Sequence, residues 1–184
     1  MALTRLGPNQ AVNLSTNTTG DLNLASQVTG TLPTANGGTG ATSFSPGKIL
    51  QTQSASFTDT ISTSSTGFVT TVITDQITPS ATGSKIAIWI NGGRGSYAGG
   101  AAEGQIKLYR QIGGGGFSDL TTVMLEALNE AGNYGKPTTA FNYIDSPSTT
   151  SAVDYTLYIK TNANTWYLNS GNSRLGILLM EIGA

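Results

Sequence analysis

The sequence predicts an all-β protein: an antiparallel jelly roll or β-sandwich over residues 46–184, preceded by an extended N-terminal segment over residues 1–45. Three observations predict it. From about residue 48, aromatic and β-branched residues recur at period two, the spacing that sends alternate side chains to opposite faces of a strand. Clusters of Gly, Asn, Pro and Ser separate these runs, as turns require. No long helical periodicity interrupts them, so nothing points to a parallel βαβ sheet.

The runs follow in order. GFVTTVITDQIT (67–78) alternates Phe68, Thr70, Val72 and Thr74 with Val69, Thr71 and Ile73. KIAIWIN (85–91) puts Ile86, Ile88 and Ile90 on one face. QIKLYRQI (105–112) sets Ile106 and Leu108 against Lys107 and Tyr109. TTVMLEAL (121–128) alternates Val123, Leu125 and Ala127 with Met124 and Glu126. A short helix competes there, because Glu126 and Glu130 are four residues apart, but the β-branched start favours a strand. TTAFNYID (138–145) and TWYLN (165–169) are shorter strands. AVDYTLYIKT (152–161) collects Val153, Tyr155, Leu157 and Ile159 opposite Asp154, Thr156, Tyr158 and Lys160. RLGILLMEI (174–182) closes the series. The breaks are NGGRGSYAGG (91–100), GGGG (113–116), NEAGNYGKP (129–137), DSPSTTS (145–151) and NSGNS (169–173). About eight antiparallel strands in this length suit a sandwich or jelly roll.

The last run differs from the others. Gly176 to Ile182 is apolar at both alternating positions, and Glu181 is its only charge. An antiparallel sheet in a monomer usually keeps one wet face. A strand dry on both sides is either central in one chain's core or covered by a neighbouring subunit. Ile177, Leu178, Leu179, Met180 and Ile182 are therefore candidate interface residues, with three chains meeting near them.

Residues 1–45 follow other rules. They hold no aromatic before Phe44, and Arg5 and Asp21 are their only charges. Leu14, Leu22, Leu24, Val28 and Leu32 are too sparse to close a core within one chain. Ordering each residue costs roughly 1–2 kcal/mol of backbone entropy, which so few apolar groups do not offset. The segment is either a flexible linker or an arm ordered by other chains, with these aliphatics as candidate anchors.

Composition excludes several kinds of chemistry. With no cysteine and no histidine, disulfides, thiol catalysis, Ser-His-Asp mechanisms and the usual zinc ligand sets are not expected. Charged residues make up 10 % of the chain, against about 25 % in typical domains. The net charge is −1, and nine Lys and Arg spread along the chain do not form a phosphate-binding patch, so no nucleic-acid partner is expected. No run of apolar residues reaches membrane-spanning length, and MALTRLGP lacks the apolar core of a signal peptide, so cytoplasmic production without membrane insertion is expected. The glycine runs at 92–95 and 113–116 do not fit a phosphate-binding loop that opens a helix. Asp75, Glu103, Asp119, Glu126, Glu130, Asp145, Asp154 and Glu181 form no glycosidase-like pair by spacing. No cofactor, metal or catalytic residue is expected.

VTGTLPTANGGTG (28–40) resembles a segment of phage tail-fibre and related virion fibre proteins, where such a stretch stands just before a distal domain. MALTRLGPNQAVNL (1–14) is similar to the start of small virion proteins from phages of cyanobacteria and other marine hosts. YIDSPSTTSAVDYTLYIKT (143–161) and LLMEIGA (178–184) resemble the end of a β-rich module in the same group. The resemblance implies a short homotrimeric fibre, assembled into the virion in a host cytoplasm. Its N-terminal segment would attach to other virion proteins, and its C-terminal jelly roll would point outward like a tumour-necrosis-factor or C1q head. The chain departs from long fibres in having few shaft repeats, which leaves a capsid decoration or head fibre open.

Recognition of a host-surface glycan or protein would fall to loops. Arg94 and Tyr97 sit in one glycine-rich segment, Asn133 and Tyr134 in another. Tyr and Asn on loops give adaptable contacts, as in a lectin-like module. The alternative is an ordinary solvated loop.

Overall fold

The computed structural model describes residues 49–98, 102–122, 125–129 and 138–183, all within the second of two units of the chain, Ser45–Ala184. The regular elements among these residues are all strands: β1 (Ile49–Phe57), β2 (Ile61–Thr63), β3 (Val69–Ile77), β4 (Lys85–Arg94), β5 (Ser96–Ala98), β6 (Ala102–Ile112), β7 (Ser118–Asp119), β8 (Leu125–Asn129), β9 (Thr138–Asp145), β10 (Val153–Thr161), β11 (Thr165–Leu168) and β12 (Leu175–Ile182).

Every pairing among them is antiparallel. One sheet has the order β1-β12-β4-β9. A second has β3-β10-β6, with β7 and β8 both paired to the far side of β6. Because β7 meets Tyr109 and Arg110 while β8 meets Ala102 to Ile106, the two behave as one interrupted strand. Among the described residues the chain therefore crosses between sheets on nearly every step, and the first and last of these strands, β1 and β12, lie side by side. That is the jelly-roll winding expected from the sequence. The small strands β2, β5 and β11 form a third sheet across three of these crossings.

The core is built by the period-two faces. Ile86, Ile88 and Ile90 of β4 and Leu175, Ile177 and Leu179 of β12 meet Ile106, Leu108, Val153, Tyr155, Leu157 and Ile159 from β6 and β10. All are essentially inaccessible to solvent. Each such side chain contributes about 1.5–3 kcal/mol by leaving water.

Two features of the strands were not visible as alternation. In β3 the pairing slips, so that Leu157 faces the stretch between Thr70 and Thr74. Thr71 fills the bulge: its hydroxyl donates to Leu157 O at 2.7 Å and accepts from Ile73 N at 3.1 Å. The glycine-rich segment after Ile90 is also more ordered than a simple turn. β4 continues to Arg94 through a bulge at Gly92 and Gly93, with φ of 91° and 66°. A Cβ on Gly92 would lie 2.1 Å from Arg174 O, so glycine alone fits that approach.

Gly104 is under a different constraint. It lies beneath the fully buried Trp166, and an added Cβ would fall 2.2 Å from the indole ring. Gly104→Ala is therefore expected to destabilise the domain by about 1–3 kcal/mol through overpacking. Denaturant unfolding measures this, and an unchanged midpoint would show that the indole can move aside.

Candidate functional site

Alternation along β12 divides its apolar residues into two sets. Leu175, Ile177, Leu179 and Glu181 face the core, whereas Gly176, Leu178, Met180 and Ile182 face outward and are half-buried. Of the five expected interface residues, Ile177 and Leu179 are thus committed to the chain's own core, because a period-two strand cannot offer neighbouring residues to the same partner. Leu178, Met180 and Ile182 remain on the outside.

Their neighbours extend the same surface. Leu178 is paired with Trp89 on β4, Met180 with Ala87, and Ile182 with Lys85. Ala87 is paired with Ile144 on β9, which is 61 % exposed. Ile49 and Leu50, 54 % and 38 % exposed, lie at the other edge on β1. Gly176 lacks a side chain between Ser54 and Ser56 on one flank and Trp89 and Asn91 on the other. The result is a groove of about 420 Å³ floored by β12, with Leu178 and Met180 along it.

Beneath this face lie two buried polar clusters. Glu181 is fully buried at one end of the sandwich. Its carboxylate accepts from Ser80 N and Ser80 Oγ, each at 2.7 Å, and from Gln51 Nε2 at 2.7 Å. Burial opposes its ionisation, but these donors outweigh burial and hold the carboxyl at about 2, against an ordinary 4.5. The Ser84 hydroxyl adds to the effect without a well-formed hydrogen bond. The second cluster joins the sheets: Asp145 at the end of β9 accepts from Arg110 Nη1 at 2.9 and 3.0 Å and from the Tyr155 hydroxyl at 2.8 Å. Burial and the adjacent carboxylate push the Tyr155 hydroxyl far above its ordinary pKa of 10. These carboxylates are tied to framework donors and form no acid–base pair.

Arg94 and Tyr97 have framework contacts. Arg94 O accepts from Ser170 N at 2.9 Å, Arg94 N donates to Ser173 Oγ at 3.1 Å, and its guanidinium packs beside Gly171. Tyr97 packs against the core, and its hydroxyl accepts from Gly104 N at 3.4 Å. Asn133 and Tyr134 lie outside the described residues, as do Leu14, Leu22, Leu24, Val28 and Leu32. A surface that sequence reasoning did not single out stands on the second sheet, where Tyr109 and Tyr158 stack with centroids 3.9 Å apart. The signal was present, since both occupy outward positions of their alternating runs.

Among the described residues, no group of three or more His, Cys, Asp or Glu could hold a metal ion, and no helix is long and apolar enough to cross a membrane. No family model and no curated protein matches the sequence. Among solved structures, the chain is similar to the infectious bursal disease virus VP2 subviral particle, with 15 % identity and a TM-score of 0.43, over 73 % of this chain and 33 % of that one. It is also similar to the Gt strain structure of that virus, with 10 % identity and a TM-score of 0.40, over 73 % and 38 %. The chain thus spans about a third of the length of the solved structures it matches.

Proposed function

We propose that the protein is a non-enzymatic structural component of a phage virion, a short homotrimeric fibre whose N-terminal segment attaches to other virion proteins and whose jelly roll stands outward. The observation that carries the assembly part is the outer face of the β1-β12-β4-β9 sheet. Trp89, Leu178, Met180, Ile182 and Ile144 form an apolar stripe on it, flanked by Thr52, Ser54 and Ser56 on β1 and by Asn91 and Asn142, and Lys85 at one end is the charged residue among its described outward positions. A lone antiparallel sheet keeps such a face polar, and contiguous apolar patches of this kind mark interaction surfaces. The phage assignment rests on the resemblance of residues 28–40 and of both ends of the chain to virion fibre proteins.

Sedimentation equilibrium of the full chain tests this reading. A trimer is expected at micromolar concentration. Met180→Glu and Leu178→Asp place a charge in the contact and are expected to yield a folded monomer, since burying an unpaired charge costs several kcal/mol, roughly. A wild-type monomer would overturn the assembly reading. Removal of residues 1–45 is expected to leave the trimer intact and abolish its incorporation into particles. Retained incorporation would show that attachment lies in the jelly roll, as in a capsid decoration held by its head.

A further inference from the structure

The chain has no cysteine, so no disulfide can tie its strands and no thiol competes for an oxidising equivalent. A covalent tie in this fold would have to come from other side chains, and one pair is placed to supply it. Tyr109 on β6 and Tyr158 on β10 stack with ring centroids 3.9 Å apart and planes 24° apart. The register sets Tyr109 opposite Thr156 and Tyr158 opposite Lys107, so the rings come from diagonal positions on paired strands. That pairing runs without a slip from Val153 and Ile112 to Thr161 and Gly104, which holds the two backbones at a fixed spacing. Phe117 tilts against Tyr158 at 5.8 Å.

Both tyrosines are half-buried on the outward face of the second sheet, so an oxidant in solution reaches them and water can take their protons. Two other tyrosines are committed elsewhere. Tyr155 is buried and gives its hydroxyl to Asp145, and Tyr97 packs on the core with its hydroxyl at Gly104 N.

The chemistry of a stacked phenol pair is defined. A one-electron oxidant takes one electron from each phenol, and each hydroxyl proton goes to water. The unpaired electron of each radical is shared with the ring carbons ortho to oxygen. Two radicals in contact join at these carbons, and each carbon then passes its hydrogen through water to its own oxygen. Both rings recover their aromaticity and their hydroxyls. In balance, two equivalents of oxidant take two electrons, two protons are released, and one carbon–carbon bond forms. Rings already in contact only need to slide and tip to reach bonding distance, a small side-chain motion.

We propose that Tyr109 and Tyr158 are an oxidative cross-linking site, at which a one-electron oxidant of the peroxidase or photochemical-radical class joins them as dityrosine within one chain. The bond ties β6 to β10 and closes a loop from residue 109 to residue 158, which restricts the unfolded chain as a disulfide would. The site lies on the sheet opposite the apolar stripe and does not depend on the assembly reading.

Photo-oxidation of the full-chain protein at micromolar concentration, with a ruthenium tris-bipyridine complex and persulfate, tests the proposal. Dityrosine fluorescence is expected in a species that runs as a single chain on denaturing gels. Peptide mapping is expected to find residues 109 and 158 in one linked pair, lighter by two hydrogens than the separate peptides. Tyr109→Phe and Tyr158→Phe are each expected to lower the yield at least about tenfold with unchanged circular dichroism, because a held contact outpaces chance encounter. Oxidation of the wild type in urea is expected to lose the product in the same way, and the linked protein is expected to unfold at a higher denaturant midpoint. Absence of dityrosine while the half-buried Trp89 and Met180 gain oxygen, which shows that the oxidant acted, would overturn the proposal. So would an undiminished yield in either phenylalanine variant. Dityrosine found only between chains would overturn it too, and would show that these rings meet across a subunit contact.

Discussion

Asp145→Ala is expected to destabilise the jelly roll by about 3–5 kcal/mol, the cost of stripping one partner from a buried ion pair. Asp145 is 5 % exposed, and its carboxylate is the shared acceptor for Arg110 on β6 and Tyr155 on β10. It is therefore a polar tie between the two sheets, set against the apolar core. Removing it strands a guanidinium whose Nε already lacks a partner, and leaves a buried phenol without an acceptor. Net stability of a domain is about 5–15 kcal/mol, so the variant approaches unfolding. Guanidinium unfolding at constant m reads the loss. Asp145→Leu combined with Arg110→Leu is expected to recover much of it, because an apolar pair removes both desolvated charges together. A loss below about 1 kcal/mol in Asp145→Ala would show that solvent reaches Arg110 freely.

Glu181 gives the second large effect, and one that depends on pH. Glu181→Gln keeps the shape but turns an amide toward donors that bonded a carboxylate, and is expected to cost about 2–4 kcal/mol at neutral pH. Its folded pKa of about 2 lies below the ordinary 4.5, so the unfolded chain binds the proton first as pH falls. The contribution is complete above about 4.5 and is lost as pH drops toward 2, amounting to about 3 kcal/mol at neutral pH. Asp75 acts with the opposite sign, because burial raises its pKa. The wild type should therefore lose stability steeply between pH 4.5 and 2, and Glu181→Gln should show a flatter profile with lower stability at pH 7. Parallel slopes in the two proteins would show that other carboxylates govern acid unfolding.

The strands with strict alternation were legible in the sequence. Val153, Tyr155, Leu157 and Ile159 were expected on one face and are all buried, and the isoleucines of β4 behave alike. β1 was not legible. Its ILQTQSASF carries Gln51 and Gln53 at inward positions, and its order comes from pairing along β12, a contact more than a hundred residues away in sequence. The short β2, β5 and β7 were missed for the same reason, since two or three residues hold no period. The interrupted fifth strand of the roll was anticipated only in its second half, where β8 pairs with β6.

The surfaces divide along the same line. Period and polarity alone determined that the C-terminal strand would be dry on both sides and that Tyr109, Tyr158, Lys107 and Lys160 would point away from the core, because a strand's two faces are fixed by residue parity. Only the tertiary structure decided which strands those faces would meet. It placed Trp89 beside Leu178 to make an apolar stripe on one sheet, and Phe68 beside two lysines on the other. Pairing partners in a jelly roll come from distant parts of the chain, so the chemistry of a whole face appears only once the winding is known.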